Sequence, residues 1–174
     1  TGFVSRTPVE GQNFNIAFVV DTSGSTSGGV LQSEIDAIEA LYNSIINTPG
    51  IGTPNMVLIE FDSDANTVFS GPANQDNNEN ETPDILEQLQ ALRAGGGTNF
   101  EAALQQTITF FTGLAGANFV FFLSDGFGSG TFADETATLT DPEGINATIR
   151  AIGIGQGAST AQLDLLDDGI PNNS

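Results

Sequence analysis

Short apolar runs alternate with amphipathic stretches along this chain. Phe14–Val20 (Phe-Asn-Ile-Ala-Phe-Val-Val) is mostly apolar, β-branched or aromatic, and turn residues follow at once. That pattern reads as a strand buried on both faces. Leu31, Ile35, Ile38, Tyr42 and Ile45 then recur at spacings of three and four, which predicts a helix from about Val30 to Asn47, stopped by Pro49-Gly50. Asn55–Phe61 is a second strand, and Thr67–Ser70 returns beside it after a turn at Asp62–Asn66. Gly71–Thr82 is polar and acidic and reads as a flexible loop. Thr82-Pro83-Asp84 starts a second helix with Ile85, Leu86, Leu89 and Leu92 on its buried face. Three glycines at 95–97 end it. Thr98 begins a third helix, striped by Ala103, Leu104, Thr107, Ile108 and Phe111. Asn118–Leu123 is another strand expected to be buried on both faces, and it ends in Ser124-Asp125-Gly126. Phe127–Pro142 reads as a long loop and Ile145–Ile154 as a strand. Ser159–Asp167 reads as a short helix with Leu163, Leu165 and Leu166 inside.

Strands that alternate with helices predict an α/β architecture. The expected fold is a Rossmann-like, open, mostly parallel sheet with one short antiparallel edge strand and helices on both faces. Residues 14–168 would form the domain, with a linker or tail at 1–13 and a tail at 169–174. In such sheets ligands sit beyond the carboxyl ends of the strands, near the switch in strand order. Asp21 and Asp125 each follow a strand directly, and Thr98 lies in a loop that enters a helix. All three can converge on one rim.

The first of these turns carries the chemistry. Asp21, Ser23 and Ser25 stand at alternate positions, with Gly24 allowing a tight bend. Three small oxygen-bearing side chains facing one point suit a hard cation such as Mg²⁺ or Ca²⁺. Asp21-x-Ser23-x-Ser25 after an apolar strand resembles the first element of the metal-ion-dependent adhesion site of von Willebrand factor A domains, including integrin inserted domains and bacterial adhesin modules. The resemblance extends over about residues 14–168. It implies a metal site formed by Asp21, Ser23, Ser25, Thr98 from Gly-Gly-Thr-Asn, and Asp125 from Leu-Ser-Asp-Gly. In that family the cation keeps residual Lewis acidity and takes a carboxylate from a protein or surface partner. The resemblance also departs at one end: the family sheet usually has a sixth strand, and 169–174 does not read as one.

Composition narrows the rest. The chain has 174 residues, with 22 acidic residues against three arginines, Arg6, Arg93 and Arg150, for a formal net charge of −19. Such a surface repels nucleic acid and anionic membranes. No apolar run approaches the ~20 residues needed to cross a bilayer. There is no Cys and no His, which removes structural zinc sites and Ser-His-Asp or Cys-His chemistry. The glycines before Thr98 could cradle a phosphate at a helix start, but the chain lacks the lysine of a phosphate loop. Asp62 and Asp64 read as a solvated turn rather than a second cation site. Asn80, Asn146 and Asn172 each begin a glycosylation acceptor triplet. The resulting expectation is a monomeric, non-enzymatic adhesion module of a larger extracellular or cell-surface chain, holding one divalent cation. Its style matches large calcium-dependent bacterial adhesins. A structural spacer with a stabilising metal, and a metal-dependent phosphohydrolase with Asp21 as nucleophile, are the alternatives.

Overall fold

The computed structural model describes residues 12–156 and 158–167. The tails expected at the two ends, and the matter of a sixth strand, fall largely or wholly outside them. Five strands form one sheet: β1 (Phe14–Asp21), β2 (Asn55–Phe61), β3 (Ala65–Pro72), β4 (Ala117–Ser124) and β5 (Ala147–Gly153). Their order is β3-β2-β1-β4-β5. β1 pairs in parallel with both β2 and β4, and β4 with β5, while β3 alone runs antiparallel. The edge strand is therefore as expected in direction, but at eight residues it is as long as β1.

Helices α1 (Val30–Ile46) and α2 (Asp84–Ala91) cover one face of the sheet, and α3 (Phe100–Phe111), α4 (Ala133–Thr140) and α5 (Thr160–Leu166) the other. Alternation along β1 divides the core. Ile16, Phe18 and Val20 pack with Leu31, Ile35, Ile38 and Tyr42 of α1, whereas Ala17 and Val19 face Ala103 and Leu104 of α3. β1 is buried on both faces because it lies in the middle of the sheet with a helix layer on each side. β4 is not. Phe119 and Phe121 remain only partly buried, because α1 and α2 gather over β1, β2 and β3 on that face.

Three further expectations are corrected. The segment 127–142 contains α4, which has a single buried side chain, Leu139. Thr136, Thr138 and Thr140 each fold their hydroxyl back to the carbonyl four residues earlier, contacts that add little to helix stability. Leu165 is 67% exposed, and only Leu163 and Leu166 anchor α5. The residue that caps α3 is Asn99 rather than Thr98; its side chain accepts from the Ala102 amide at 3.1 Å. Thr98 is thereby left outside the helix.

An aromatic cluster fixes the start of α3. Phe100 stacks edge-on against Phe61 and Phe122, with ring centroids 5.7 and 5.0 Å away, and touches Phe132 at 5.6 Å. These rings come from the ends of β2 and β4 and from the residue before α4, so they tie the loops of the rim to the core. Phe100→Ala is expected to lower stability by about 3–5 kcal/mol, read by urea denaturation.

Candidate metal centre

Asp21 is the last residue of β1 and Ser124 the last of β4, on neighbouring central strands. This is the point where strand order reverses. The β1 carboxylate is completely buried. Its Oδ1 accepts from the Ser23 amide at 2.9 Å, and its Oδ2 accepts from the Ser124 hydroxyl. Burial pushes the Asp21 pKa up; the Ser124 and Ser23 hydrogen bonds oppose this, and the nearby Asp125 charge adds to it. The Ser23 and Ser25 hydroxyls lie 2.9 Å apart in a 3₁₀ turn, Gly24–Thr26, which Thr26 closes by donating its hydroxyl to the Ser23 carbonyl at 2.8 Å. Ser23 is buried and Ser25 exposed, so the pair runs from the interior to the surface.

The glycine loop is joined to this turn through its backbone. Gly24 donates to the Gly96 carbonyl at 3.1 Å, and Gly95 to the Thr22 carbonyl at 2.7 Å. Gly96 has φ +79, and a Cβ there would lie 2.6 Å from an Asp62 carboxylate oxygen. A side chain at that position would disturb the seam. The third loop joins the second: the Ser129 amide and hydroxyl both donate to the Thr98 carbonyl, at 2.9 and 2.7 Å. Asp125 is 9% exposed, and its Oδ1 accepts from the Phe127 amide at 3.2 Å. Gly126, at φ +85, lies so close to Ser159 that a Cβ would meet its carbonyl oxygen at 1.8 Å. Only glycine fits there, which packs the Asp125 turn against the entry to α5. Thr98, Gly126, Phe127, Gly128, Ser129 and Gln162 border one cavity of about 400 Å³ on this rim.

The structure thus brings the three expected loops to one rim. Asp21, Ser23 and Ser25 form one hydrogen-bonded unit, Asp125 lies within electrostatic reach of Asp21, and Thr98 borders the cavity beside Gly126. Asp62 and Asp64 behave as a turn: Asp62 Oδ1 accepts from the Asp64 amide at 3.1 Å. Among the described residues no three acidic side chains gather closely enough to hold a metal through carboxylates alone. Hydroxyl oxygens would have to complete a ligand set at this rim.

Sequence reasoning missed one residue. Glu34 of α1 is fully buried, and neither of its carboxyl oxygens has a hydrogen-bond partner. Burial, then the charges of Asp21 and Asp125, push its pKa up to about 10. Its position gave a signal: Glu34 falls three residues after Leu31 and four before Ile38, on the apolar stripe of α1. A carboxyl on that stripe, within reach of two aspartates, is a group with a deficit that a cation would relieve.

The model of the von Willebrand factor type A domain matches residues 15–172. The chain belongs to this family. Solved structures agree on the fold of this von Willebrand A domain. Proximal thread matrix protein 1 from the mussel byssus is 25% identical, with a TM-score of 0.67 over 90% of this chain and 42% of that one. A further structure of the mussel protein, 22% identical with the same TM-score and the same coverage of each chain, has a zinc-occupied MIDAS motif. A von Willebrand factor type A protein from Catenulispora acidiphila is 21% identical, with a TM-score of 0.69 over 91% of this chain and 37% of that one. The manganese-loaded TRAP protein of Plasmodium vivax is 18% identical, with a TM-score of 0.66 over 95% and 66%. This chain therefore spans less than half of the mussel and Catenulispora chains. No curated protein sequence matches it.

Proposed function

We propose that this von Willebrand A domain is a metal-dependent ligand-binding module of an extracellular or cell-surface protein. One divalent cation would be held by Asp21, Ser23, Ser25, Thr98 and Asp125, and would coordinate an acidic group of a protein or surface partner. The observation that carries this reading is the seam between the three loops, which joins two buried or nearly buried aspartates and a serine hydroxyl pair at the carboxyl ends of β1 and β4. Few negative ligands leave a cation positive enough to seek an outside carboxylate. Three hydroxyls and two carboxylates fit an octahedral Mg²⁺ site, and Ca²⁺ if the loops relax. The zinc and manganese of the two neighbours described above favour a divalent ion. A cell-adhesion role, and an origin in a large bacterial calcium-dependent adhesin, belong to the same proposal.

Phe127, 62% exposed, lines the same cavity as Thr98. A partner that offers a carboxylate next to an apolar side chain would fit both features. The net charge of −19 opposes approach of an acidic partner, but at ~0.15 M salt the screening length is only ~8 Å. Among the described residues no helix is long and apolar enough to cross a membrane.

A phosphohydrolase reading requires Asp21 as nucleophile. Its carboxylate is fully buried and both oxygens are engaged, and the chain has no His, Cys or Lys to assist. The geometry favours binding over catalysis. The experiment is capture of acidic peptides from a random array in Mg²⁺ or Mn²⁺, repeated in EDTA. Binding that EDTA and Asp21→Ala both abolish supports the proposal; binding that survives both refutes it. A domain whose melting temperature rises with cation but that captures nothing is the stabilised spacer.

A further inference from the structure

Glu34 of α1 carries an inference that rests on the metal-site reading above. Its two unpartnered oxygens are sealed from solvent within electrostatic reach of Asp21 and Asp125, yet the three acids are not close enough to share an ion directly. We infer that Glu34 positions the rim cation by accepting hydrogen bonds from its coordinated waters. Groups in that role typically change metal affinity 10–100-fold when removed. Calorimetry with Mn²⁺ should show such a loss in Glu34→Leu and a smaller one in Glu34→Gln, while metal-free melting temperatures stay level or rise. Equal Mn²⁺ affinity in parent and both variants overturns this inference alone. A parent that binds no Mn²⁺ overturns the metal-site reading with it.

Discussion

Asp21→Asn removes the response of the domain to divalent cations while leaving the metal-free fold intact. The parent at a cation concentration 100 times its dissociation constant gains ~2.7 kcal/mol of stability. For a domain of this size each 1 kcal/mol moves the melting temperature by ~2–4 °C, so the parent should melt about 5–10 °C higher in Mg²⁺ or Mn²⁺ than in EDTA. In the variant that interval closes. The metal-free state behaves differently. The Asp21 carboxyl is buried and its pKa raised, so its charge opposes folding when no cation is present. Asparagine keeps an acceptor for Ser23 or Ser124 and removes the charge. The EDTA melting temperature of Asp21→Asn is therefore expected to equal or exceed that of the parent. Differential scanning calorimetry in the two buffers reads both numbers. A variant that loses stability equally in both buffers would make Asp21 a structural residue only.

The metal-free domain loses stability as pH rises from about 6 to 9. Glu34 has a pKa of about 10 in the folded chain against 4.5 for an ordinary glutamate. Between those values the folded chain holds one more proton than the unfolded chain. The derivative of unfolding free energy with pH then has a negative sign, and stability falls by up to ~1.4 kcal/mol per pH unit for that proton. The contribution is fully present below the unfolded pKa and gone above the folded one. Glu60, raised by burial and then by the charge of Asp62, acts in the same direction. Asp21, also raised, acts in the same direction at the lower end. Urea denaturation in EDTA at several pH values should show the decline in the parent and a flatter curve in Glu34→Gln. Parallel curves would mean that Glu34 is solvated in the folded chain.

Much of the architecture was readable because central strands are short apolar runs. β1 and the buried half of β4 announce themselves, and the α1 stripe repeats through four buried residues. The three rim loops were readable because each follows a strand or enters a helix with a distinct residue series. α4 was hidden because Leu139 is its only buried side chain, so no apolar period forms. The exposure of Leu165 could not be read from a seven-residue helix, where two anchors suffice. Thr98 and Asn99 are both good caps, and only the fold shows that Asn99 takes the role, leaving Thr98 in the loop above the rim. Glu34 was overlooked because a carboxyl among Ser33 and Asp36 looks like a wet helix face.

The central claim is that three loops share one cation at the carboxyl ends of β1 and β4. Crystals soaked in Mn²⁺ and measured at the manganese edge test it directly. The account predicts an anomalous peak at this rim in direct contact with the Ser23 and Ser25 hydroxyls, with Thr98, Asp21 and Asp125 reaching it directly or through one water. A domain that stays empty there at saturating Mn²⁺, with the Thr98 side chain turned away from both aspartates, would contradict it.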